Sequence, residues 1–380
     1  MQKLTGNIVT TEATFYGCLT WNDEGIITAV ERLGEFLPDA DWILAGFIDL
    51  HLHGLGPYSA ETEEGMRGMA AFASTVGTTM LCPTLSCAPE EMMIDQLRII
   101  ARLVKQGTPG ARIAGAHSEG PWLNPIYKGG MIHEYIRTAT LREAQAFLEA
   151  ADGTLKLLTL APEMPGALEV VRFLVSQGVA VSAGHTGLPT WFYEEAIQAG
   201  VSQFCHLFDA YACPVSHEGV RQPALTDLAI IDDRVMKELI VDGMHVPPEL
   251  VQLVRRGAGA DHIVAITDAM QGAGLKEGHF VDYGVPYTIR EGELARRDSD
   301  GAIIGSSLSM NLAFRNLTQR FGFTPSEATK LLSANQAKIL GFAEKTGRLA
   351  VGLWADIAVL ANDSKTVKAC FVKGKGTVSC

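Results

Sequence analysis

The chain has 380 residues, of which 47% are hydrophobic and 19% charged. That ordinary globular mixture excludes disorder over most of the length, and the size allows two or three domains or one large barrel. With 31 Lys and Arg against 43 Asp and Glu, the formal charge of −12 repels a phosphate backbone and excludes nucleic acid as a principal partner. The first ten residues show no basic segment leading into an apolar one, and no uninterrupted apolar stretch of about 18 residues occurs. Neither a signal peptide nor a membrane helix is therefore expected, and a cytoplasmic location is. The 7 cysteines (18, 82, 87, 205, 213, 370 and 380) form no C-x-x-C pair and read as reduced and mostly structural.

Residues 1–44 hold short mixed runs broken by Gly, Asn and Asp, such as 6–10 and 25–30, which predict strands of a small antiparallel sheet. From about Ala45 to about Leu340 the texture changes. Short β-rich apolar segments alternate with stretches at helical spacing, the pattern of parallel strands joined by crossover helices. Strands are predicted at 46–51, 79–84, 112–117, 155–161, 179–184, 203–205, 238–241 and 263–267, and crossover helices include 62–76, 89–104, 141–150 and 190–199. Beyond this region, 347–352, 355–360 and 367–378 again read as strands. The fold expectation is α/β: a (β/α)8 TIM barrel over 45–342, with a small β-sandwich domain built from both chain ends, 1–44 plus 343–380. An open doubly wound sheet is the competing architecture.

Polar residues stand at or just past the end of each predicted strand: His51 and His53, Thr84, Glu119, Glu163, His185, His206, Asp242 and Asp268. Barrels of this kind carry their sites on that face. His51 and His53 lie two apart on a strand, so both imidazoles point to one side and can share a metal. With Glu119, His185, His206 and Asp268 they make six N and O donors, a set suited to Zn²⁺, Fe²⁺, Mn²⁺ or Co²⁺.

In order along the chain stand Gly46-Phe47-Ile48-Asp49-Leu50-His51-Leu52-His53-Gly54, His117-Ser118-Glu119-Gly120-Pro121-Trp122-Leu123-Asn124-Pro125 with Lys128-Gly129, and Ala183-Gly184-His185-Thr186. Cys205-His206-Leu207, Asp242-Gly243-Met244-His245, Thr267-Asp268-Ala269 and Gly305-Ser306-Ser307-Leu308 follow. Over about residues 45–310 this series resembles the N-acetylglucosamine-6-phosphate deacetylases of the amidohydrolase superfamily. The resemblance implies that Glu119, His185 and His206 bind one divalent metal. His51 and His53, with Asp268 nearby and Glu119 bridging, are the candidates for a second. It also implies hydrolysis of an N-acetyl amino sugar in a homodimer. Water activated by the metal attacks the acyl carbon, and Asp268 takes the proton and returns it to the departing amine. His245, Gly130, Asp209, Ala210, Ile303 and Gly305 fall where such enzymes contact substrate.

Three positions depart from the family pattern. Asp209 replaces an asparagine, the arginine after the second metal histidine is missing from His217-Glu218-Gly219-Val220 with Arg221 close by, and Met131 replaces a histidine, with His133 two residues on. An acid beside a phosphate repels it, and a lost arginine removes a bidentate bond. Two substrate readings are therefore carried forward: N-acetylglucosamine 6-phosphate, and an unphosphorylated N-acetyl sugar, N-acyl amino acid or dipeptide. A non-catalytic binding barrel would be marked by lost metal ligands, and none is lost.

Overall fold

The computed structural model describes residues 1–378. Eight parallel strands form the barrel: β1 (Phe47–Leu52), β2 (Thr78–Leu85), β3 (Ala116–Glu119, preceded by the short Arg112–Ile113), β4 (Leu155–Leu160), β5 (Ala180–Ala183), β6 (Val201–Phe204), β7 (Met236–Ile240) and β8 (Ile263–Ile266). They hydrogen-bond in sequence order from β1 to β8. Each lies within a few residues of its predicted position. Their near-continuous apolar runs are buried on both faces, as parallel strands covered by helices must be.

Crossover helices fill the intervals. Glu63–Ala73, Glu90–Gln106 and Leu141–Ala151 match predicted segments, whereas the segment at 190–199 divides into a single 3-10 turn, Thr190–Phe192, and the helix Tyr193–Ala199. Thr62 and Thr140 start two of the helices by accepting a backbone N–H three residues on. Inside the barrel, Ile48, Leu50, Met80, Cys82, Leu157, Ile240, Val264 and Ile266 form an apolar cluster.

β1 and β8 close the barrel through their ends. Asp268 N donates to His51 O at 2.9 Å, His53 N donates to Ala269 O at 2.8 Å, and Thr267 Oγ1 donates to Asp49 Oδ2 at 2.6 Å. This seam carries three of the predicted metal ligands. β1 also loses register with β2 between Asp49 and Leu52. Such irregularities re-aim side chains at strand ends.

The two chain ends meet in one seven-stranded sheet. Its order is Lys375–Val378, Val367–Val372, Ile357–Leu360, Trp42–Ala45, Gln2–Val9, Thr14–Trp21 and Ile27–Gly34. A separate core of Ile8, Leu19, Trp21, Ile27, Ile43, Ile357 and Val359 holds it. Gly46 alone separates Trp42–Ala45 from β1, and a Cβ there would lie 2.2 Å from Thr79 Cγ2. Close approach therefore keeps the position glycine.

The α/β alternation does not run unbroken to Leu340. After β8 the chain forms a four-stranded antiparallel sheet, Glu277–Asp282, Val285–Arg290, Leu294–Arg297 and Ile303–Ser306. No described helix is long and apolar enough to cross a membrane. Cys18, Cys82, Cys87, Cys205 and Cys213 are thiols, and Cys380 lies outside the described residues.

A buried ion pair ties barrel to end sheet. The Arg112 guanidinium meets both oxygens of Asp356, which also accept from Thr346 Oγ1 at 2.6 Å and Lys373 N at 2.8 Å. Arg112 also lies 4.7 Å from the Trp354 ring centroid. Arg112→Met keeps most of the stem and strands a carboxylate that is 2% exposed. It should cost about 3 kcal/mol in urea-unfolding stability, and a loss below about 0.5 kcal/mol, the surface-substitution range, would contradict this role.

Candidate active site

Glu119 ends β3, is 2% exposed and points each carboxylate oxygen at a different pair of histidines. Oε1 is 3.0 Å from His185 Nε2 and 2.8 Å from His206 Nε2. Oε2 is 2.9 Å from His53 Nε2 and 3.3 Å from His51 Nε2. Asp268 Oδ1 lies 3.4 Å from both His51 and His53 Nε2. All six predicted ligands thus converge, in two groups that share Glu119.

Local backbone geometry aims them. His185, His206 and Asp268 directly follow or lie just past β5, β6 and β8 and have positive φ values of 48°, 26° and 48°. Non-glycine residues avoid that region at a cost of about 1–3 kcal/mol each, and proteins retain it where a site requires it.

Hydrogen bonds also set the tautomers. His185 Nδ1 lies 2.9 Å from the Tyr127 carbonyl, which only accepts, so Nδ1 carries the hydrogen and Nε2 presents its lone pair. His53 Nδ1 contacts Ser86 Oγ at 3.0 Å. Behind His51, Nδ1 is 3.5 Å from Glu238 Oε2 and 3.6 Å from Cys205 Sγ.

The donor set fits a divalent metal. His51 Nε2 is buried without a hydrogen-bond partner, and His185 Nε2 and His206 Nε2 stand 3.2 Å apart. That separation is close to the edge of a tetrahedron with arms of about 2.0–2.1 Å. Protons are the alternative occupants. Burial favours neutral His53, but Asp268 and Glu119 outweigh it and push its pKa up to about 9. Burial likewise works against the Glu119 charge, yet His51, His185 and His206 hold its carboxyl well below the usual range. A cation replacing those protons binds more weakly as pH falls.

Five of the six candidate ligands, all but His51, line one cavity. Gly130, Asp209, Ala210, Ile303 and Gly305, the positions read from sequence as substrate contacts, are among its lining residues. His245 is not among the lining residues but stands beside two of them: one of its ring nitrogens is within 4.8 Å of carboxylate oxygens of Asp209 and Asp268, and its Nε2 is buried without a hydrogen-bond partner. Its Nδ1 is 2.7 Å from Asp242 Oδ2, and Asp242 Oδ1 accepts from the Met244 and His245 backbone. Burial lowers the His245 pKa, but the Asp242 bond overrides this and holds it above the ordinary imidazole range.

Arg221 is not brought into the cavity. It lies on an exposed hairpin, Ser216–His217 and Val220–Arg221, and pairs with Asp227 at 2.8 Å. His133 is also absent from the lining, whereas Met131 belongs to it. Sequence reasoning missed Asp282, Tyr283, Val285 and Arg297, which reach the cavity from the inserted sheet. The turn signals Tyr283-Gly284, Glu291-Gly292 and Asp300-Gly301 mark its hairpins and were the available clue.

Glu119→Gln removes the charge common to both groups. Metal content per chain after dialysis, read by elemental analysis, should fall at least about tenfold, the loss that even an outer-shell change produces. Metal retained at wild-type level would show that Glu119 is not a ligand.

Residues 42–376 match the amidohydrolase family. The chain is 31% identical over 341 residues to the N-acetylgalactosamine-6-phosphate deacetylase of Escherichia coli O157:H7, covering 89% of each. It is also 31% identical over 333 residues to the N-acetylglucosamine-6-phosphate deacetylase of Bacillus subtilis (strain 168), covering 86% of this chain and 82% of that one. The crystal structure of N-acetyl-D-glucosamine-6-phosphate deacetylase from Mycobacterium smegmatis superposes with a TM-score of 0.90 at 30% identity over 100% of both chains. A mutant of that protein, in complex with N-acetyl-D-glucosamine-6-phosphate, superposes with the same TM-score at 29% identity, over 100% of this chain and 99% of that one. With its barrel, its ligand set and these likenesses, the chain belongs to the N-acetylglucosamine-6-phosphate deacetylase family of the amidohydrolases.

Proposed function

We propose that this enzyme removes the acetyl group from N-acetylglucosamine 6-phosphate, giving glucosamine 6-phosphate and acetate. One observation carries the reading: a buried carboxylate, Glu119, faces four imidazoles at the floor of a cavity, with Asp268 beside them. The relatives' substrates supply the identity of the amide.

A divalent ion held there acidifies water and polarises a carbonyl, the chemistry that opening an amide needs. Glu119, His185 and His206 would hold one ion, and His51, His53 and Asp268, with Glu119 shared, a second. Zinc suits the nitrogen and oxygen donors best, with iron, manganese and cobalt as the alternatives.

Asp268 carries the proton. Burial raises its pKa, but His51 and His53 override this and hold the carboxyl below its ordinary value, so it is ionised at neutral pH. It can take a proton from the attacking water and deliver it to the amine, which leaves only when protonated. His245 is pinned through Nδ1 by Asp242, which leaves Nε2 free to donate to a substrate oxygen beside Asp209 and Asp268.

A homodimer is supported by apolar exposure on the loops that follow the barrel strands. Ile126, Trp191, Val215 and Val220 are each more than six-tenths exposed, and all follow the C-terminal ends of β3, β5 or β6. Large exposed apolar side chains on one end of a barrel are candidates for an association surface. The acidic composition and the sugar-phosphate chemistry support a cytoplasmic enzyme.

The test is kcat/KM of metal-reconstituted enzyme on N-acetylglucosamine 6-phosphate and its galacto epimer, each against the free sugar. Preference for N-acetylglucosamine 6-phosphate supports the proposal, and preference for the galacto epimer or turnover of free sugars alone overturns it. Asp268→Asn should lower kcat by about 10²- to 10⁴-fold. A kcat within threefold of wild type would remove Asp268 from proton transfer.

A further inference from the structure

We propose that Arg297 is the residue that recognises the anionic 6-substituent, an assignment that rests on the deacetylase reading above. The argument begins with charge. Apart from histidines, the cavity's described lining contains one cation, Arg297, against the acids Glu119, Asp209, Asp268 and Asp282. A dianionic phosphate entering such a field needs a positive partner.

The other nearby cations are otherwise engaged. Arg221 is more than half exposed and bound to Asp227 outside the cavity. Lys128 turns its Nζ back to the carbonyls of Gly129 and Met131, at 3.3 and 3.5 Å.

Arg297 ends the strand Leu294–Arg297 of the inserted sheet, with its side chain only 13% exposed. Nη2 donates to Gly130 O at 2.6 Å, and Nη1 lies 3.3 Å from Asp300 Oδ2. Nε is buried with no partner. Two contacts leave donors of the planar five-N–H fork unused, and such a fork is able to bind phosphate oxygens bidentately. Asp300 is 54% exposed, so water screens its charge and it neutralises the guanidinium weakly.

The anchor at Gly130 also links Arg297 to the site of the chemistry. The Gly129-Gly130 loop is wedged between His185 and the strand Ile303–Ser306: a Cβ on Gly129 would lie 3.2 Å from His185 Cε1, and one on Gly130 would lie 2.9 Å from Ile304 Cα. Arg297 therefore grips the same loop that packs against a metal ligand. An anion bound there holds the far end of a substrate whose amide lies at Glu119 and Asp268.

The test compares wild type, Arg297→Met, Arg297→Lys and Arg221→Ala, each metal-reconstituted, on N-acetylglucosamine 6-phosphate and N-acetylglucosamine. Arg297→Met should lower kcat/KM for the phosphorylated sugar by about 10- to 100-fold, the worth of one charge-assisted bond. The change should fall mainly in KM, with kcat/KM for the free sugar within threefold of wild type. Arg297→Lys should recover part of the loss, and Arg221→Ala should leave the ratio between the two substrates unchanged. Binding of glucose 6-phosphate as a competitive inhibitor should weaken in parallel. An equal fall on both substrates would make Arg297 a loop anchor only. A ratio that collapses in Arg221→Ala instead would move recognition to the exposed hairpin, and either result overturns the assignment. Wild-type enzyme that never turns over the 6-phosphate overturns the functional reading itself.

Discussion

The site depends on one buried negative charge. A carboxylate removed from water is tolerated only if cations or hydrogen-bond donors surround it. Glu119 meets that demand with four imidazoles, two for each oxygen. Those histidines come from β1 and from the turns after β5 and β6, so satisfying a single side chain requires three separate parts of the barrel to converge. Asp268, arriving from beyond β8, adds a second carboxylate on the same histidines, and the balance of charge is then best met by divalent cations.

That convergence is built into the seam. Where β8 returns to β1, the bonds from Asp268 N to His51 O and from His53 N to Ala269 O join the backbone that carries Asp268 to the backbone that carries the two histidines facing Glu119 Oε2. Closing the barrel and assembling the site are therefore one event. The left-handed backbone at His185, His206 and Asp268 is the accompanying strain, and packing on both faces of the strands supplies the rigidity that holds it.

The barrel is legible in the sequence because parallel strands buried on both faces leave continuous apolar runs, and because each ligand stands at or just past the end of one of them. The six candidate ligands, which the structure brings together, could therefore be picked out from position and residue type. The inserted sheet at 277–306 was not legible as a unit. Its strands expose one face, so Glu277–Asp282 alternates exposed and half-buried residues and carries no apolar run. Arg297 was missed for the same reason: its position in the cavity comes from how that sheet folds over the barrel mouth. Chain proximity to the missing arginine made Arg221 the natural substitute, but a two-residue hairpin turns it toward Asp227 and water.

The central claim, that Glu119 is the ligand shared by two metal positions, is tested most directly by anomalous diffraction from crystals of metal-reconstituted protein. The account predicts two peaks, one among His185, His206 and Oε1 of Glu119 and one among His51, His53, Asp268 and Oε2, each about 2.0–2.2 Å from its Glu119 oxygen. Metal held by the histidines with Glu119 turned away, or a peak at neither position, would contradict it.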